Sequence, residues 1–119
     1  MERGETVDKK MMAFGTSLLI LKLLDTKEMY GYQIIKELER QSQDLFVLKE
    51  GTLYPILHSP EQQGAIISTE KEGSNGRLRK YYILTDEGHR LLKKKELEWK
   101  RYSSAVSQIL GGEMIYAGL

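Results

Sequence analysis

The hydrophobic pattern changes period several times along this chain. Residues 1–10 are polar and read as a mobile start. Ser17 to Leu24, SLLILKLL, is almost unbroken apolar sequence. A run this short fits a buried helix or a buried strand; its leucine content favours a helix with most faces covered. DTKEM breaks the pattern. YGYQIIKELERQS then sets Tyr32, Ile35 and Leu38, with Ile34 alongside, against Lys36, Glu37, Glu39 and Arg40, which predicts an amphipathic helix. QDLFVLKEG reads as a connector, and GTLYPILH opens a third helix with Leu53, Ile56 and Leu57 as its apolar stripe.

After Gly64 the period shifts. Ile66 and Ile67 begin a β-prone run, EGSNG carries turn chemistry, and KYYIL is aromatic and β-branched. Together they predict a hairpin. Thr85 then caps a long helix whose first turn holds Asp86 and Glu87, matching the helix dipole. That helix runs to Gly111-Gly112. Leu92, Trp99, Tyr102, Val106 and Ile109 follow its helical spacing, with Lys95 interrupting the seam. The predicted order is three helices, a hairpin and a long helix: a mainly α fold with a small β-hairpin. We place a first unit at residues 1–84 and a C-terminal helix with a short tail at 85–119.

Both prolines of the chain fall in the third helix. A start near Thr52, with its hydroxyl as cap, puts Pro55 in the first turn, where a missing N–H costs little. Pro60 is harder to place. Inside a continuous helix its ring collides with the Ile56 carbonyl, at a cost of roughly 3 kcal/mol or more. Its position also continues the core-facing stripe. The expectation is therefore a kink at 59–60, or a restart with Ser59 as cap, Pro60 as first residue and Gln62 completing a capping box, in preference to an undistorted helix.

Composition narrows the function classes. The chain has 119 residues, a formal net charge of +1 and no cysteine. One domain is expected, with disulfides and cysteine-ligated metals excluded. Any basic surface must be local, because the total charge is nearly balanced. The start lacks a signal peptide's apolar run, and Leu18 to Leu24 is far too short for a membrane span. A cytoplasmic protein without membrane partners is the expectation. No P-loop, nucleophile elbow or zinc-ligand spacing is present, and His58 and His89 lack ligand-spaced partners, so neither an enzyme nor a cofactor is expected.

A helix–turn–helix followed by a β-wing is a winged-helix arrangement. The strings LLILKLL, YGYQIIKELE, KEGTLYPILH and GRLRKYYILTDEGHRLL go further and resemble the PadR family of bacterial transcriptional regulators across roughly residues 15–110. This chain departs from the family pattern at Ser59 and Pro60, where arginine and leucine are usual. It departs again at Tyr30, often histidine, and at Leu78, often proline. The resemblance implies a homodimer joined through C-terminal helices, repression from a palindromic double-stranded DNA operator, and response to a small hydrophobic or aromatic effector.

On that footing the third helix turns Thr52, Tyr54, Pro55, His58 and Ser59 toward DNA, with Lys49 beside a phosphate. Thr52 can cap, contact DNA or do both, and Tyr54 can contact DNA or pack internally. Arg77, Arg79 and Lys80 belong to the wing, where Arg77 and Arg79 share one face of an alternating strand and suit phosphate or a narrow minor groove. KKKELEWKR is a solvated helix face. Leu92, Trp99, Tyr102, Val106 and Ile109 form a dimer seam, and Trp99 either packs there or lines an effector pocket. The alternative to a DNA-binding regulator is a winged-helix protein–protein interaction module.

Overall fold

The computed structural model describes residues 9–112 as four helices and one antiparallel sheet. In chain order these are α1 (Lys9–Thr26), β1 (Met29–Tyr30), α2 (Gly31–Gln41), α3 (Glu50–Gln62), β2 (Ile66–Glu72), β3 (Leu78–Leu84) and α4 (Asp86–Ile109). The first helix begins earlier than the apolar run suggested and takes in Lys9 and Lys10 of the polar start. Residues 1–8 of that start, and the tail EMIYAGL, lie outside the described residues.

The helices cover one face of the sheet. Ile20, Leu21 and Leu24 of α1 meet Ile34 and Leu38 of α2, Leu53 and Leu57 of α3, and Ile66, Tyr82 and Leu92 behind them, all buried. Leu53 is wholly inaccessible to solvent; truncating such a leucine to alanine typically costs about 2–5 kcal/mol. In α2 the buried stripe is Gly31, Ile34, Ile35 and Leu38. Tyr32, expected on that stripe, is instead 53% exposed, with the Lys36 ammonium 5.4 Å from its ring centre. Glycine begins the stripe because a Cβ at position 31 would lie 2.6 Å from the Tyr54 hydroxyl oxygen.

Helix α3 departs most from expectation. It starts at Glu50 with Lys49 as N-cap, and the Thr52 amide already donates to the Lys49 carbonyl at 2.9 Å. Thr52 is therefore not the cap, and Pro55 sits beyond the first turn. The helix also continues through Pro60 without a restart. Ser59 caps nothing: its carbonyl accepts from the Gln63 amide at 3.0 Å, and its hydroxyl from the Gln63 side chain at 3.1 Å. Gln62 is simply the last helical residue. The physical reason lies just downstream. Gly64, at φ +78°, donates to Glu61 O at 3.1 Å, and Ala65 donates to Pro60 O at 2.8 Å, a Schellman ending. Pro60 thus keeps its carbonyl in use while its buried ring fills the core-facing slot.

The hairpin forms as predicted, with Lys71 opposite Arg79 and Ser68 opposite Tyr82. Only Gly76 of the Asn75-Gly76 pair takes positive φ, at +80°. The hairpin is not isolated. Met29, the last residue of the apparent break, and Tyr30, the first of the string read as the second helix, form β1 and pair with β3, giving the order β1-β3-β2.

Thr85 caps α4 as predicted, accepting from the Gly88 amide at 3.0 Å. Its hydroxyl also donates to the Gly64 carbonyl at 2.6 Å. A Cβ on Gly88 would collide with the Ala65 carbonyl, so α4 enters tight against the α3–β2 joint. Two contacts then link α4 with α1: His89 Nδ1 lies 2.9 Å from the Asp25 carboxylate, and Lys22 pairs with Glu96 at 3.5 Å.

Candidate nucleic-acid interface

One side of α3 is committed to the core through Leu53, Leu57 and Pro60. The opposite side presents Tyr54, Pro55, His58 and Ser59, all exposed, with Lys49 exposed at the N-cap. Thr52 is half-buried in the first turn. Tyr54 packs internally at one end and is open at the other. Its ring is 44% exposed, while its hydroxyl end rests against Gly31 at the start of α2. This contact locks the relative position of the two helices through a residue that still faces outward.

The wing lies beside this surface. Its tip is closed by the Gly73 amide donating to the Arg77 carbonyl at 2.7 Å and by the Arg77 amide donating to the Asn75 side chain at 3.2 Å. Arg77 and Lys80 are exposed, whereas Arg79 is half-buried. The Arg79 guanidinium lies 4.3 Å from the centre of the Tyr30 ring, and its side chain packs on Gly73. Between wing and helices runs a cleft of about 390 Å³ lined by Tyr30, Gly31, Tyr32, Glu50 and Tyr54 on one side and residues 77–80 on the other. The fold thus brings Tyr54 together with Arg77, Arg79 and Lys80, while His58 and Ser59 lie farther along α3, outside that cleft.

Sequence reasoning missed Tyr30, Tyr32, Glu50 and Leu78 as cleft residues. A usable signal was present in YGYQ: a glycine between two tyrosines at a helix start implies that something must come close. Behind the cleft, Tyr82 is buried, and burial together with the charge of Glu61 pushes its phenol up to about 12. It stays neutral and packs as a core ring. Among the described residues no group of three or more His, Asp and Glu side chains is placed to hold a metal ion.

The opposite end of the molecule is built from α1 and α4. Trp99 is 47% and Ile109 84% exposed, Tyr102 is exposed, and Val106 is half-buried. Leu92, expected on the same seam, is instead buried in the core of the head with residues of α1, α3 and the sheet. A second cleft of about 270 Å³ is lined by Gly15, Leu18, Lys95, Glu98, Trp99 and Tyr102. The Trp99 and Tyr102 rings lie 6.0 Å apart. Lys95, which looked like a fault in the apolar seam, forms part of this cleft wall.

Comparison with known proteins agrees with this architecture. Residues 20–94 match the model of the transcriptional regulator PadR-like family. A transcriptional regulator from Clostridium thermocellum is similar in structure, with 31% identity and a TM-score of 0.76 over 84% of this chain and 97% of that one. A PadR-like transcriptional regulator from Bacillus cereus shares 30% identity and a TM-score of 0.75 over 88% of this chain and all of that one. The transcriptional regulator Rv3488 of Mycobacterium tuberculosis is 31% identical over 101 residues, covering 85% of this chain and 88% of its own length. A winged helix–turn–helix head, a long C-terminal helix and a family match over residues 20–94, which takes in most of the head and the first turns of α4, make this chain a member of the PadR-like family of transcriptional regulators.

Proposed function

We propose that the chain binds a palindromic double-stranded DNA operator as a homodimer and acts as a repressor. The single observation that carries the reading is the placement of Tyr54, Arg77 and Lys80 around one cleft, beside the exposed Pro55, His58 and Ser59 of α3. Helix α3 enters the major groove, where Ser59 offers a hydroxyl and Pro55 or the exposed Tyr54 ring an apolar contact to thymine. Lys49 and Thr52 meet phosphate at the start of the helix, and the exposed wing cations Arg77 and Lys80 meet the flanking backbone. This explains how a nearly neutral chain engages a polyanion: the cations are concentrated by the fold rather than by composition.

Two copies joined along the Trp99, Tyr102, Val106 and Ile109 face of α4 set their heads one helical turn apart, about 34–36 Å between half-site centres. A flat aromatic effector in the Trp99–Tyr102 cleft relieves repression by favouring a different spacing of the heads, since a ligand shifts an equilibrium only through unequal affinity for its states. The test is fluorescence anisotropy of a labelled fragment from the gene's own upstream region against a shuffled control, across a salt series. Preference of roughly 10³-fold or more with a steep salt slope supports the reading. Equal, weak binding to both fragments by the wild type and by Pro60→Leu overturns it.

A further inference from the structure

The outer face of the sheet carries an arrangement that neither family membership nor the DNA reading explains. Lys71 and Arg79 stand directly opposite each other on β2 and β3. Like charges at paired positions destabilise a hairpin. Here each cation is drawn to a different aromatic ring. Arg79 lies over Tyr30 at 4.3 Å, and Lys71 lies over Tyr81 at 4.8 Å while also pairing with Glu28. Tyr30 and Tyr81 are themselves register partners on β1 and β3 and meet edge to face, 5.3 Å apart. The chain of contacts Arg79–Tyr30–Tyr81–Lys71 therefore spans all three strands.

Tyr30 is also the N-cap residue of α2, where its amide donates to the Gln33 side chain at 3.1 Å. A side chain stacked on Tyr30 is thereby tied to the helix–turn–helix. Arg79 is that side chain, and its other flank rests on Gly73 at the base of the wing tip, where an added Cβ would come within 3.2 Å of it. Such a guanidinium is partly desolvated and already engaged. Arg77, two residues earlier, is exposed at the tip.

We propose that Tyr30 and Arg79 are a positioning pair for the wing: the Tyr30 ring holds the Arg79 guanidinium against the head, fixing the wing's angle to α3, so that Arg77 rather than Arg79 makes the phosphate contact. This rests on the DNA-binding reading above. A wing without the pair samples more angles and must be ordered on binding, so affinity falls although the final contacts are the same.

The experiment is anisotropy with the upstream fragment for the wild type, Tyr30→Leu, Tyr30→Phe, Arg79→Gln and the double variant Tyr30→Leu/Arg79→Gln, across the same salt series. Tyr30→Leu and Arg79→Gln each weaken binding by about 3- to 5-fold, the scale of a partly exposed cation–π contact. The double variant is no weaker than either single one, and Tyr30→Phe, which keeps the ring face, binds like the wild type. Arg79→Gln leaves the slope of log affinity against log salt unchanged; losing a direct phosphate contact lowers it by about 0.9. Additive losses, a lowered slope in Arg79→Gln, or wild-type affinity in Tyr30→Leu overturn the pair while leaving the DNA reading intact. Equal, weak binding to both fragments by the wild type and by Pro60→Leu overturns the DNA reading, and the pair's role falls with it.

Discussion

The two clefts of this molecule differ in how they are finished. The wing-end cleft is assembled from β1, the starts of α2 and α3, and the wing, and much of its lining is held by neighbours within the chain: Arg79 by Tyr30, Tyr54 by Gly31. The α1–α4 cleft is lined largely by one helix and keeps Trp99 about half exposed, with Ile109 still more exposed farther along the same helix. The first is a surface set in advance by intramolecular contacts, suited to a rigid, charged partner such as duplex DNA. The second has the composition of an interface core, where aromatic rings contribute most when a partner covers them.

The sharpest way to break this comparison is at the α4 face. Trp99→Ala combined with Ile109→Asp is expected to leave a monomer by sedimentation velocity and to weaken operator binding by on the order of 10³-fold, because two anchors of about 2 kcal/mol each are lost from the interface. A double variant that remains a dimer would place the seam elsewhere.

A paired glycine experiment contrasts the clefts directly. Gly31→Ala drives a Cβ to 2.6 Å from the Tyr54 hydroxyl, and urea unfolding should show a loss of about 1–3 kcal/mol. Gly15→Ala, in the wall of the other cleft, meets no side chain or neighbouring element within 4 Å among the described residues and lies inside α1, so it should stabilise by about 0.5–1 kcal/mol. Equal effects at both positions would mean that the wing-end cleft is no more tightly built than the other.

At the wing tip, Arg77→Ala should lower the slope of log affinity against log salt by about 0.9 and weaken binding similarly for any DNA sequence, as expected of a phosphate contact. A change confined to the preferred sequence would mark Arg77 as a base reader instead.

The smallest effect concerns pH. The phenol of Tyr82, buried behind the wing-end cleft and near the charge of Glu61, is raised from 10.0 to about 12. The folded chain therefore holds this proton more tightly than the unfolded chain. The corresponding stability is fully present below pH 10 and is lost as pH rises from 10 to about 12. Chemical denaturation across that window should show the decline in the wild type, and a smaller one in Tyr82→Phe.

Much of this was legible in the primary structure. The α2 and α4 patterns, the Thr85 cap, the Gly111 stop and the hairpin all arise from interactions within a few residues, so local rules find them. The failures share a cause. Strand β1 is two residues long and exists only because β3 pairs with it. The continuation of α3 through Pro60 without a restart depends on the Gly64–Ala65 ending and on a core slot that the ring fills. Tyr32 looked apolar by spacing, but Gly31 took the buried place because Tyr54, more than twenty positions away in the chain, needed it.

The amino-acid sequence by itself determined the order of elements, the amphipathic faces, the turn and capping chemistry and the family motifs, because these depend on periodicity and on neighbours along the chain. Only the tertiary structure decided which side chains share a cleft, that Leu92 belongs to the head and not the seam, and that Arg79 is stacked on Tyr30 while Arg77 stands exposed. Those outcomes depend on distances between segments far apart in the chain, set when sheet and helices close on one core, and no local period encodes them.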